Sequence, residues 1–254
     1  MSMAQPQQLD GALLAAHYAY MPNKLKYCGG DDNSELFAYA ANQQSDNGLK
    51  ELLAEFATMY PYLRLIAEAN RIADPFDYRV VEAYWLGNDL LKNVSLRGFY
   101  RYMTDQQQLK KQLKPALAEK VFGKLNLGAK PHHSWHVLNI PKRTGYYPVA
   151  HTLATMDECR ISWGRVKAGN LSDQITEKII VDYRPLEFID NKFILGESRE
   201  REVWLTTDNQ SFAPDLSVGD YVSIHWGWVC DSLSEQQKNN LEKWTNYNLN
   251  LASL

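Results

Sequence analysis

The feature that most constrains the fold is a series of short strand-like segments in the C-terminal part of the chain. Apolar, β-branched and aromatic residues recur there in short runs separated by turn residues, which is typical of strands in a small barrel. The predicted strands are Ile161–Val166, Lys178–Tyr183, Leu186–Ile189, Lys192–Leu195, Glu200–Leu205 and Tyr221–Trp226.

Turn residues and a final helix complete this C-terminal unit. Asp190-Asn191 fits a tight turn between two of the predicted strands, and Gly219-Asp220 leads into the last one. Ser232 or Ser234 can then cap a helix. Four apolar residues of that helix are spaced to pack on the barrel: Leu241, Trp244, Tyr247 and Leu251.

The first half of the chain has helical spacing of its apolar residues instead. A short helix over Leu13–Tyr20 is expected to end at Pro22. The clearest helix is expected to begin at Asp74-Pro75 and to reach Leu91, and Ser95 can cap another that ends near Pro115. These segments predict a helical bundle.

The region between the two halves is rich in glycine, proline and histidine. These residues interrupt regular structure, so we interpret it as a connection with one candidate short strand. The fold class predicted is therefore α+β, with a helical domain over residues 1–127, a His-containing linker over 128–155, and a β-barrel plus C-terminal helix over 156–254.

Charge and composition exclude several function classes. A net charge of −3 gives no general electrostatic reason to bind nucleic acid or an anionic membrane. No apolar run approaches the roughly 18 residues needed to span a bilayer, and the polar start lacks a signal-peptide pattern, so we expect a cytoplasmic protein. Three widely spaced cysteines do not form a disulfide framework.

Two motifs stand out in the C-terminal part of the chain: CRISWGRV at positions 159–166 and VGDYVSIHWGWV at positions 218–229. Both resemble motifs of the HypC-type NiFe-hydrogenase maturation chaperones, the second more strongly. The resemblance implies an OB-like barrel with a C-terminal helix, in which Cys159 binds an iron fragment and His225 lies near it. In that family the cysteine follows the initiator methionine, whereas Cys159 lies within the chain.

This resemblance implies an accessory factor in hydrogenase maturation. Such a factor binds an iron fragment or docks a maturation protein or a hydrogenase subunit, and the side chains that would contact the partner are Trp163, Arg165, Trp226 and Trp228. The whole chain also resembles an uncharacterised bacterial family with the same helical half, Tyr-Cys-Gly loop and His-rich segment. That family implies no particular activity.

Other metal-type residues lie in the N-terminal half and the linker. A helical turn would place His132 and His136 on one face, with His133 beside them, whereas a strand would place His132 and His136 on one face together with Ser134. Cys28 lies in a glycine-flanked loop that allows close backbone approach. Each also has a structural interpretation, as a core histidine or a helix-connecting turn.

Two further functions therefore stay open. One is a metal-dependent enzyme whose site is made by Cys28, His132, His133 and His136, and the other is a metal-free protein-binding module. The sequence contains no GxGxxG, P-loop or GxSxG motif, so it offers no signature of nucleotide or serine-hydrolase chemistry. Whether the protein is an enzyme does not follow from its sequence.

Overall fold

The computed structural model describes residues 9–106, 111, 113–141, 145–169 and 177–254. Helices dominate the first part of the chain and strands the second, so the α+β prediction is confirmed. Part of the helix predicted between Ser95 and Pro115 lies outside the described residues.

Nine short α-helices precede the first strand in the described residues. Several begin where an Asp or Ser side chain accepts a backbone N–H, as Asp10, Asp46, Asp77 and Ser95 do. They are α1 Gly11–Lys24, α2 Asn33–Ala41, α3 Asn47–Ala54, α4 Met59–Asn70, α5 Tyr78–Trp85, α6 Leu96–Arg101, α7 Pro115–Asn126, α8 His133–Asn139 and α9 Leu153–Cys159. A 3₁₀ turn, Asp89–Asn93, follows α5, and a π turn, Tyr102–Gln106, continues α6.

Two of the predicted helices have different bounds in the structure. Pro22 lies inside α1, which continues to Lys24. The helix predicted from Asp74-Pro75 to Leu91 begins later, at Tyr78, and ends at Trp85, before Gly87 adopts a φ of 84°. Glycine takes up this left-handed conformation without a steric penalty, so the chain turns there into the 3₁₀ segment.

The His-rich connection forms a helix and not a strand. Residues His133–Asn139 make α8, and all seven are buried. His132 precedes them as the N-cap, where its side chain accepts a hydrogen bond from the Ser134 backbone N–H at 3.2 Å. The sequence left a helical turn and a strand open here, because Pro131 and the histidines are also compatible with a loop or a strand start.

The described residues form nine strands, and five of them pair in a ring. The nine are β1 Ser162–Ala168, β2 Lys178–Tyr183, β3 Leu186–Ile189, β4 Lys192–Leu195, β5 Arg199–Trp204, β6 Thr206–Thr207, β7 Gln210–Ser211, β8 Tyr221–His225 and β9 Trp228–Leu233. Neighbours in the ring follow the order β1-β2-β5-β9-β8, and β8 pairs again with β1. Strands β3 and β4 form a separate hairpin, as do β6 and β7.

Tight turns join β3 to β4 and β8 to β9. Asp190 and Asn191 both have positive φ values, 51° and 61°, and close the β3–β4 hairpin as predicted. Trp226 and Gly227 have φ values of 53° and 70° and reverse the chain between β8 and β9. Strand β9 was absent from the sequence prediction, which ended the strands at Trp226.

The final helix, α10 Glu235–Ala252, begins at a capping box. The Ser234 side chain accepts the Gln237 N–H, and the Gln237 side chain accepts the Ser234 N–H. The helix packs against α8 and β4. Among the described residues, no helix combines the length and the apolar character that crossing a membrane requires.

One large apolar core joins the helices to one side of the strand ring. Its buried members include Leu14 of α1, Trp135 of α8, Trp228 of β9 and Leu241 of α10. A direct polar contact adds to this packing, because the Tyr18 hydroxyl donates to Ser223 Oγ at 2.8 Å. Helix α1 is therefore fixed against β8, and this packing positions the site described next.

Candidate metal centre

Three potential metal ligands from distant parts of the chain converge in the core. The Cys159 sulfur and one ring nitrogen each of His133 and His225 lie within 4.8 Å of one another, and all three residues are buried. The sequence analysis had assigned these residues to two separate candidate sites. The structure brings them together.

Cys159 is the last residue of α9, and a buried ion pair fixes this helix end. Asp157 Oδ1 accepts from Arg160 Nε at 2.9 Å and from the Leu186 backbone N–H at 3.0 Å. Arg160 also donates to the Arg184 carbonyl at 2.6 Å. These bonds tie the end of α9 to the start of β3, so the backbone that carries the thiol is held from both sides.

His225 is the last residue of β8, directly before the Trp226-Gly227 turn. Its Nδ1 lies 2.7 Å from the Tyr18 carbonyl oxygen of α1. A carbonyl only accepts hydrogen bonds, so Nδ1 carries the proton and Nε2 carries the lone pair. A hydrogen bond of this kind is the usual way in which proteins orient a histidine for metal binding.

His133 begins α8 and is held at both ring nitrogens. Its Nε2 donates to the Cys159 carbonyl at 2.8 Å, which leaves the lone pair on Nδ1. The Tyr84 hydroxyl lies 3.1 Å from Nδ1 and donates to it. Coordination of a metal through Nδ1 would replace this Tyr84 hydrogen bond.

Burial keeps the His133 ring neutral. Loss of solvent lowers the pKa of His133 well below its ordinary value, and repulsion from the neighbouring His225 lowers it further. The two rings meet edge to face with centroids 5.2 Å apart, and the Trp85 ring contacts both. A neutral imidazole is the form that binds metals, so protons compete little with a metal at this residue.

The three groups line a small cavity of about 30 Å³. Cys28 and His136 line the same cavity, so five of the six candidate metal residues share one space. The remaining lining is largely apolar: Ala19, Pro22, Phe56, Thr58, Met59, Tyr84 and Trp85. His136 also contacts the Tyr62 hydroxyl through Nδ1, at 3.4 Å.

The donor atoms are near enough for one ion once the side chains move inward. Metal–sulfur and metal–nitrogen bonds of about 2.3 and 2.1 Å place the donors of a tetrahedral ion about 3.5 Å apart. The observed limit is 4.8 Å, so metal binding requires side-chain rotation that brings the donors together by up to about 1.3 Å. One thiolate and two imidazoles suit the late first-row metals, including iron and zinc.

His132 does not belong to this cluster. Its Nδ1 accepts the Ser134 N–H and lies 3.4 Å from Asn248 Nδ2, and its ring stacks on Trp244 of α10. Burial lowers the pKa of His132 to about 3. The predicted pairing of His132 with His136 on one face is wrong, because α8 begins after His132.

The four predicted partner-binding residues have different surroundings. Trp228 is in the core, where it packs against Tyr20 and Phe212, and Trp163 is also buried. Arg165 is exposed and donates to the Gly219 carbonyl. Trp226 is partly exposed, and its ring packs on another aromatic ring in the Cys28 loop. Only Arg165 and Trp226 therefore present substantial surface.

Two tyrosines that contact the histidines were not predicted as site residues. Tyr18 contacts His225 through its backbone carbonyl, which no side-chain pattern indicates. For Tyr84 a usable signal was present, because a buried tyrosine normally needs a partner for its hydroxyl. That signal indicates a polar contact but not its partner, since Tyr84 and His133 are 49 residues apart.

Comparison with known proteins gives a family but no activity. No curated protein and no solved structure matches the chain. Residues 7–254 match a family of unknown function, DUF6390. This match covers nearly the whole sequence, and the chain therefore belongs to the DUF6390 family.

Proposed function

We propose that the protein binds a transition-metal ion or a small metal fragment through His133, Cys159 and His225. The observation that carries this proposal is the convergence of one thiol and two imidazoles within 4.8 Å at a small cavity. Carbonyl groups accept one N–H of each histidine, which fixes the ring orientation as second-shell partners of metal sites do.

Cavity size favours the handling of metal over chemistry on an organic substrate. A water molecule needs about 10–15 Å³ of such space, so a cavity of about 30 Å³ holds an ion with one or two small ligands. An organic substrate has no room beside the donors.

The accessory role in NiFe-hydrogenase maturation is the specific form of this proposal. Its support is the pair Cys159 and His225, which the HypC-like motifs designate and which both line the cavity. The strand order offers further support, because the ring runs first, second, third, fifth, fourth, with its third and fifth strands, β5 and β9, parallel. An OB-like barrel is a five-stranded Greek-key ring. On this reading, the cargo is iron and the partner is a maturation protein or a hydrogenase subunit.

A metal-dependent enzyme is the second candidate. The observation that favours it is the presence of Cys28 and His136 in the same cavity, which supplies more donors than simple ion storage requires. In this case the metal would act on a molecule no larger than one or two water-sized groups.

Metal analysis after anaerobic purification tests the proposal. We expect the wild-type protein to hold about one equivalent of metal, and Cys159→Ala and His225→Ala each to lose it. The matched control is Cys230→Ala, because Cys230 is an equally buried thiol on β9 that does not line the cavity. Absence of metal from the wild-type protein, even after incubation with Fe²⁺, Co²⁺ or Zn²⁺, would contradict the proposal. Equal loss in Cys230→Ala would show a general folding effect instead.

A further inference from the structure

The metal cavity has one side that reaches the surface. Every residue in its lining is buried except Cys28 and Thr58, which are partly exposed. Of these two residues, Cys28 has a side chain that is a soft metal ligand, whereas Thr58 has a hydroxyl group. Cys28 therefore places a thiol at the partly exposed side of the cavity.

The loop that carries Cys28 is held in place over the cavity. The Asn23 side chain donates to the carbonyl groups of Cys28 and Gly30, at 3.0 and 2.8 Å. Gly29 has a φ of 81° and lies so close to the Phe56 ring that a Cβ atom there would be 2.5 Å from it. Phe56 itself lines the cavity, so this contact closes the loop onto the cavity wall.

A second segment covers the same loop from outside. The backbone N–H groups of Gly145 and Tyr147 donate to the carbonyls of Tyr27 and Lys26, at 3.0 and 3.1 Å. The Tyr27 ring also packs on Trp226, the residue that follows His225. Cys28 is thus fixed between the surface and the three internal donors.

We propose that Cys28 is the transfer ligand through which metal enters and leaves the internal site. This inference rests on the proposed function, since it concerns metal on its way to His133, Cys159 and His225. Cys28 binds the incoming divalent ion first. Cys159 then replaces Cys28 as the thiolate ligand when the ion moves inward. A relay of two thiols avoids stripping all ligands from the ion in a small, largely apolar space.

The exchange balances in bonds and protons. The Cys28 thiol releases its proton to solvent when its sulfur bonds to the ion. As the Cys159 sulfur forms its own bond to the ion, the bond to Cys28 breaks, and the proton from the Cys159 thiol passes to the Cys28 thiolate. The net result is one proton released to solvent, with no change of oxidation state.

Loading kinetics of the metal-free full chain with Co²⁺, followed by the thiolate-to-cobalt absorption, test this role. We expect Cys28→Ala to slow loading and chelator removal about 10-fold, the lower end of the effect of residues that support a metal site. Its equilibrium affinity is expected to stay within about 3-fold of wild type, because the final ligands are intact. Thr58→Ala is the matched control at the same opening and is expected to load like wild type.

Other outcomes overturn the inference. Faster loading of Cys28→Ala would mean that the side chain only obstructs the opening, and an unchanged rate would mean that metal takes another path. Loss of equilibrium affinity in this variant would make Cys28 a permanent ligand and not a transfer ligand. Failure of the wild-type protein to take up Co²⁺ is a different result, since it contradicts the proposed function itself.

Discussion

The two faces of α8 show how differently neighbouring histidines are used. On the face toward α10, His132 caps the helix, stacks on Trp244 and contacts Asn248, so protein groups occupy its lone pair. On the opposite face, His133 meets Cys159 and His225 at a cavity. His132 and His133 are consecutive in the sequence, and both are buried and neutral.

Burial and a lowered pKa therefore do not distinguish a metal-binding histidine from a structural one. Both properties apply to His132 as well as to His133. The distinguishing property is the convergence of further soft donors around a space of suitable size. Among the described residues, the His133 face has it and the His132 face does not, and the following predictions test that difference.

The largest expected effect concerns the ion pair that fixes Cys159. In Asp157→Ala the Arg160 guanidinium, which is 1% exposed, loses its carboxylate partner. We expect the free energy of unfolding to fall by about 3–5 kcal/mol, as it does when buried ion pairs are broken. Denaturant unfolding measures this change. Glu202→Ala removes the exposed pair with Lys178 and should cost less than about 1 kcal/mol; equal losses would contradict the anchoring role of Asp157.

The direct test of the two faces is a pair of matched substitutions. His133→Gln is expected to weaken metal binding at least about 100-fold, beyond the range of changes that only support a ligand. His132→Gln is expected to leave affinity within about 3-fold and to lower stability by about 1 kcal/mol through loss of the N-cap. Calorimetric titration with Zn²⁺ measures the affinities. Similar losses in both variants would remove the distinction between the faces.

Stability should fall as acid is added below pH 6.5. Burial lowers the pKa of His17 to about 4 and of His132 to about 3, and the pKa of His133 is also well below 6.5. In this range the unfolded chain therefore binds protons that the folded chain does not bind. The free energy of unfolding falls by about 1.4 kcal/mol per pH unit for each histidine. Above pH 6.5 these histidines are neutral in both states, so their contribution to the free energy of unfolding is fully present.

Asp231 opposes this trend because burial raises its pKa to about 7. As the pH falls from 7 toward 4, the folded protein binds this proton before the unfolded chain does, which adds stability. Three histidines outweigh one carboxyl group, so the net change is a loss. Denaturant unfolding at several pH values between 7.5 and 4.5 tests this, and constant stability would show that the histidines bind protons in the folded state.

The smallest expected effect comes from the hydroxyl that faces the His133 lone pair. Tyr84→Phe removes the hydrogen bond to Nδ1, which is worth about 0.5–1.5 kcal/mol in the metal-free protein. In this variant, metal binding through Nδ1 does not have to break the Tyr84 hydrogen bond. The affinity for the metal should therefore rise about 2- to 10-fold. Zn²⁺ titration of this variant checks the sign. A lower affinity would mean that Tyr84 supports the bound metal instead of competing with it.

Local patterns predicted much of the strand region. The bounds of β2, β3 and β4 agree with the sequence prediction, because alternating residues and the Asp190-Asn191 turn act over short distances. The pattern failed at β9, where Trp226-Gly227 turns within two residues and Asp231-Ser232 resembles a loop. It failed at α8 as well, because tertiary packing stabilises this short helix against its composition.

The candidate site was predictable in its residues but not in its assembly. Residue chemistry and motifs indicated Cys28, His133, His136, Cys159 and His225, all of which line one cavity. Their joining depends on the packing of α1, α8 and α9 against β8, which no sequence spacing encodes. For the same reason the sequence predicted His132 in one site with His133 and His136. In the structure His132 faces α10 instead of the cavity.

The bond between His225 and Tyr18 also has a consequence for the timing of synthesis. These residues are 207 positions apart, so the first helix emerges from the ribosome long before the strand that completes the cavity. A partly synthesised chain has Cys28 and later His133, but no histidine from β8. Metal handed over during translation would meet an incomplete set of donors, and we therefore expect loading only after the chain through β9 has folded.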